Sequence, residues 1–135
     1  MFKIIVLLNL LIFTSLALAE PVIIVNASNA NAIDAKVVKR IFLGKEKKFA
    51  DGSETVPVNQ DASSATRQAF DTDVLKRSTT QVAAYWSKLV FTGKGIPPKE
   101  LASDAEVIDL VSANPNVIGY VDRASVTGAV KVIEL

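Results

Sequence analysis

Beyond Pro21, short apolar runs alternate with stretches in which apolar residues recur every three or four positions. VIIV at 22–25 is a compact run rich in β-branched residues and predicts a buried strand. Asp34 then stands as a helix N-cap, with Ile33 before it and Val38 four residues into the helix as a hydrophobic staple. Val37, Val38, Ile41 and Phe42 fall on one face of that helix, and Gly44 supplies its C-terminal stop. Asp51-Gly52-Ser53 predicts a turn, and TVPV at 55–58 a short strand whose proline favours an edge or a strand end. Farther on, Phe70 and Val74 lie four apart, as one helical face requires. Ser78-Thr79-Thr80-Gln81 is a capping box, and Val82, Tyr85, Trp86, Leu89 and Val90 follow with the spacing of an amphipathic helix that stops at Thr92-Gly93. The loop GKGIPPKE leads to a second capping box at Ser103–Glu106, whose helix buries Val107, Leu110 and Val111. NPN at 114–116 is a turn, VIGYV at 117–121 a buried strand, and VKVIEL at 130–135 a last strand.

Strands alternating with helices argue for a layered α/β domain with a mixed or mostly parallel sheet. The first residues stand apart from it. Lys3, an apolar run from Ile4 to Leu16 that is short for a bilayer span, and the small-residue site Ala17-Leu18-Ala19 read as a secretory signal over 1–19. The domain is then 20–135, exported to the periplasm or secreted, with no stable membrane insertion after cleavage. Taking Lys3 from the 15 basic residues leaves 14, against 14 acidic ones. A neutral chain is a poor nucleic-acid binder, because that affinity comes largely from neutralised phosphates. The chain has no cysteine and no histidine. Lipid attachment at a cysteine, disulfides, zinc sites and Ser-His-Asp triads are excluded on composition, and no nucleophile stands with a base. The reading is of a protein that is not an enzyme and needs no metal or cofactor.

Several stretches carry candidate chemistry. Gly93-Lys94-Gly95 looks like a fragment of a phosphate-binding loop, but the full spacing is missing and it ends a helix instead of opening one. Asp71-Thr72-Asp73 reads as a solvated helix face, since adjacent positions diverge too far to share an ion. Lys36, Lys39, Arg40, Lys45, Lys47 and Lys48 form the one local excess of positive charge, a solvated face or a guide for an anion or an acidic partner. Tyr85 and Trp86 lie on the apolar stripe and read as core. NQDASSATRQAF at 59–70 is the most informative stretch. It places hydroxyls and an arginine where a strand gives way to a helix, so its free backbone N–H groups and Ser63, Ser64 and Thr66 suit an oxyanion; alternatively, Asp61 or Ser63 is simply the helix cap.

IFLGKEKKF at 41–49, VPVNQDASSATRQAF at 56–70, YWSKLVFTGKG at 85–95 and DAEVIDLVSANPNVIGYVD at 104–122 come in the order and spacing seen in the phosphate-binding proteins of ABC transporters. The chain resembles the short, single-lobe proteins grouped with that family, over almost all of its length beyond the signal. The resemblance implies a periplasmic-binding-protein-like (type II) lobe, with a mixed sheet of about 4–5 strands flanked by about 4 helices. It also implies inorganic phosphate or a similar oxyanion as ligand. The family holds its anion with Arg-Ser-Asp-Gly-Ser-Gly-Thr, which places Asn59 at the arginine, Asp61 at the aspartate, Ser63 at the serine, Ser64 at the second glycine and Ala65 at the threonine. Thr66 and Arg67 follow one turn into the helix. With the arginine, glycine and threonine replaced, the implied site is degenerate and binds weakly. The resemblance is to the second of two lobes, so a homodimer or an envelope protein partner is expected to complete the cleft. The competing reading is a ligand-free interaction module of the envelope that keeps the fold for assembly, adhesion or signalling.

Overall fold

The computed structural model describes residues 18–135, so the predicted signal lies almost wholly outside the described residues. Strands β1 (Pro21–Asn26), β2 (Val56–Gln60), β3 (Lys99–Leu101), β4 (Val117–Asp122) and β5 (Val130–Ile133) form one sheet in the order β3-β2-β4-β1-β5. β2 runs parallel to both β3 and β4, whereas β1 is antiparallel to β4 and β5, so the sheet is mixed.

The helices divide between the two faces. α1 (Ala35–Phe42), α2 (Ala65–Phe70, continued by a π-helical turn over Asp71–Leu75) and α3 (Thr79–Phe91) cover one face, and α4 (Asp104–Ala113) covers the other. The period of two along a strand explains how one run serves both layers. Ile23 and Val25 of β1 join Ile118 and Tyr120 under the three helices, while Val22 and Ile24 join Val117 and Val121 under α4. Among the described residues, both cores are built from residues between Val22 and Ile133.

The helix starts follow the sequence closely. Asp34 accepts from Val37 N at 2.8 Å, and Ser78 and Gln81 form a reciprocal capping box. At α4, Ser103 accepts from Glu106 N, but the Glu106 carboxylate takes the Ala102 N–H at 2.9 Å, one residue earlier than a full box requires. Two features depart from the sequence expectation. β3 falls in the predicted loop, because a three-residue edge strand with two exposed side chains leaves no apolar run to read. Its pairing begins at Val58, so Pro57 sits on a local edge of β2 where no partner needs its missing N–H. Val90, predicted on the buried stripe, is exposed because the last turn of α3 runs past the core.

Gly119 sets the spacing between sheet and α4. A Cβ there would lie 2.7 Å from Val107 Cγ1 and 3.1 Å from Val58 Cγ2. Gly119→Ala is expected to cost about 1–3 kcal/mol by overpacking. A denaturation midpoint unchanged from wild type would show that α4 rides away from the sheet at no cost.

Candidate functional site

β2 leads into α2 on one face of the sheet and its parallel neighbour β3 leads into α4 on the other. Where adjacent parallel strands send their helices to opposite faces, a crevice opens at their carboxyl ends, the usual ligand position in open α/β sheets. The NQDASSATRQAF stretch occupies this place.

Ser64 is the residue that caps α2. Its Oγ accepts from Arg67 N at 3.1 Å and donates to Gln60 Oε1 at 2.9 Å. Asp61 forms the turn before the cap, accepting from Ser63 N at 2.9 Å and Ser63 Oγ at 2.8 Å. Those two hydrogen bonds hold its carboxyl below the usual carboxylate range, so it is ionised at neutral pH. Behind the cap, the first-turn N–H groups of Ala65 and Thr66 find no partner among the described residues, as the geometry of a helix start dictates. Thr66 itself is buried.

Asn59 points inward, not toward the crevice mouth. Its Oδ1 accepts from the Tyr120 hydroxyl and from Gln60 N at 3.2 Å. Tyr120 is fully buried, and that burial pushes its hydroxyl pKa well above the ordinary tyrosine value. Arg67 is 4% exposed and committed within the protein. Its Nε donates to Asp71 Oδ2 at 2.8 Å, and its Nη1 to Gln60 O at 2.8 Å and to Glu100 Oε1 at 3.3 Å. Burial is the strongest single influence and opposes its charge, but the hydrogen bond to Asp71, the Asp71 charge and the bond to Glu100 together outweigh it and hold the guanidinium pKa above its usual value. Asp71 is thus the buried partner of an i, i+4 pair; the arginine one turn earlier draws it off the solvated face expected of Asp71-Thr72-Asp73.

Six predicted site residues therefore fall into two groups. Asp61, Ser63, Ser64 and Thr66 shape the start of α2. Asn59 and Arg67 line a neighbouring concavity of about 500 Å³ with Glu100, Trp86, Val90 and Phe91. Gln60 and Asp104 were missed by the sequence reading, yet they tie the crevice together. Gln60 Nε2 donates to Asp104 Oδ1 at 2.7 Å, and Asp104 Oδ2 accepts from Ser125 Oγ at 2.7 Å and from Asp122 N at 3.2 Å. Asp104 had announced itself only as a capping-box residue, and Glu100 only as part of a loop. One guanidinium faces Asp71 and Glu100, so the corner offers an anion hydrogen-bond donors, not net positive charge. Among the described residues, no group of three His, Cys, Asp or Glu side chains gathers as a metal site.

No family model matches the chain. No curated protein matches it either. Solved structures do. An ABC-type phosphate transport receptor from Vibrio cholerae aligns with a TM-score of 0.67 at 20% identity, over 88% of this chain and 48% of that one. A Clostridium perfringens protein assigned to the phosphate ABC transporter substrate-binding proteins and solved with bound phosphate aligns at 0.67 and 18% identity, over 86% and 44%. PstS from Borrelia burgdorferi aligns at 0.64 and 17%, over 85% and 46%. This chain has the fold of just under half the length of these substrate-binding proteins of phosphate ABC transporters.

Proposed function

We propose that the chain is an exported solute-binding lobe that takes phosphate or a similar oxyanion weakly at the start of α2. The observation that carries this reading is the pair of N–H groups, Ala65 and Thr66, without a partner among the described residues, at the carboxyl end of β2 in a fold shared with phosphate receptors. Two such donors and the positive end of the helix dipole suit an oxyanion. The ionised Asp61 beside them repels an anion that carries no proton and can accept a hydrogen bond from the O–H of a hydrogen phosphate, which favours phosphate over sulfate at this corner. The expected affinity is roughly millimolar, equivalent to about 4 kcal/mol.

Ala65→Pro is the discriminating variant. It deletes one N–H donor at the first helical position, where proline is well tolerated, and Ser64 at φ −65°, ψ 131° already has the extended backbone that a following proline demands. Phosphate titration of residues 20–135, followed by amide shifts, is expected to move Ala62 through Arg67 in the wild type and to show at least several-fold weaker binding in Ala65→Pro, with stability unchanged. An absence of localised shifts at roughly tens of millimolar phosphate would reduce the serine pair to a helix cap. The interaction-module reading would then stand, favoured by the exposed apolar side chains at the end of α3.

A further inference from the structure

The basic run at 45–48 and the Gly93-Lys94-Gly95 motif are far apart in sequence, and the fold brings them to one surface. They rim a groove of about 1010 Å³ whose floor includes Ile41, Leu43, Tyr85, Trp86 and Leu89. Lys45, Lys47, Lys48 and Lys94 stand around it, with Glu46 and Glu54 as the acidic residues of the rim. None of these lysines belongs to an ion pair among the described residues. Beyond this rim, the last turn of α3 and the loop after it present Val90, 54% exposed, Phe91, 93% exposed, and Ile96, 89% exposed. Lys88 lies one helical turn before Phe91, and Lys94 lies between Phe91 and Ile96.

We infer that this surface docks the domain on an anionic lipid bilayer. Phe91, at the edge of the concavity beside Arg67, and Ile96, at the edge of the lysine-rimmed groove, keep nearly all of their side-chain surface exposed, which leaves both free to enter the boundary between headgroups and acyl chains. The surrounding lysines complement lipid phosphates, and each such charge contributes to attraction that fades within a Debye length. The chain beyond residue 19 is formally neutral, so the excess is local to this face. A second copy of the chain fits less well. An isologous contact centred on Phe91 would set Lys88 and Lys94 of one copy against those of the other. Gly44 holds the groove in shape: at φ +72° it takes a conformation that favours glycine, and a Cβ there would lie 2.8 Å from Trp86 Cη2. This inference is independent of the phosphate reading, because its residues are not those of the α2 corner.

The test is co-sedimentation of residues 20–135 with vesicles of pure phosphatidylcholine and of equimolar phosphatidylcholine and phosphatidylglycerol. Binding is expected only with the anionic vesicles, and it is expected to fall steeply as salt is raised. Phe91→Ser with Ile96→Ser, and separately Lys45→Glu with Lys48→Glu, are each expected to lower the partition coefficient at least tenfold. All four side chains are exposed, so circular dichroism is expected to show both variants folded. Inorganic phosphate at the concentration that saturates the α2 corner is expected to leave vesicle binding unchanged beyond its contribution to ionic strength. Equal binding to neutral vesicles, binding to neither, or binding indifferent to both pairs of substitutions would overturn the inference. So would sedimentation equilibrium showing a dimer that Phe91→Ser dissociates, since that outcome assigns the patch to a second copy.

Discussion

Arg67→Ala is expected to lower the stability of the domain by about 3–5 kcal/mol, the usual result of removing one partner from a buried ion pair. Asp71 is 0% exposed and would be left buried without its cation, while Gln60 O would lose its donor. The double variant Arg67→Met, Asp71→Leu removes both charges together and is expected to recover part of the loss. The orphaned Gln60 carbonyl, worth about 1–3 kcal/mol, is what remains. Chemical denaturation of the two variants measures this directly. A single variant as stable as the wild type, or a double variant no better than the single, would mean that water reaches Asp71 and the pair is not closed.

Phe70→Ala carries an expected loss of comparable size, about 3–5 kcal/mol. Its ring is fully buried, lies parallel to Tyr120 with centroids 3.9 Å apart, and meets Phe42 edge-on at 4.9 Å. Removing it leaves a cavity between α1 and the centre of β4. Because the Tyr120 hydroxyl bonds to Asn59 and Gln60, the same change is expected to loosen the end of β2 as well. Thermal unfolding reads the stability loss, and faster amide exchange at Gln60 reads its spread. Protection at Gln60 equal to wild type would confine the damage to the aromatic cluster.

The strands and helices with a clear period were legible in the sequence because burial on one face or both imposes that period. VIIV and VIGYV are continuous apolar runs because β1 and β4 have helices on both sides. Ser78 and Ser103 were legible through chemistry that acts over three residues. β3 was not, since its three residues are held by pairing with β2 and by nothing in their own side chains. The candidate corner was legible as a place and less so as an arrangement. The hydroxyl-rich start of α2 shows in the sequence, whereas the choice of Ser64 over Asp61 or Ser63 as cap depends on where the backbone turns. The inward turn of Arg67 depends on Asp71, which the i, i+4 spacing allowed but which a reading of Asp71-Thr72-Asp73 as surface passed over. Gln60 and Asp104 are 44 residues apart and meet only because β3 brings the start of α4 beside the end of β2.

Trp86 gives the molecule a built-in optical probe. It is the one tryptophan of the chain, is 7% exposed, and has a buried indole N–H without a hydrogen-bond partner among the described residues. Its emission is therefore that of an indole in apolar surroundings, and unfolding shifts it to the red. The same ring forms part of the wall of both the concavity beside Arg67 and the lysine-rimmed groove. An occupant of either space changes the polarity or the quenching that this single fluorophore experiences, whereas an anion held at the start of α2 does not touch it. Intensity and wavelength in one cuvette thus separate occupants of these two concavities from an anion at the start of α2 without any label being attached.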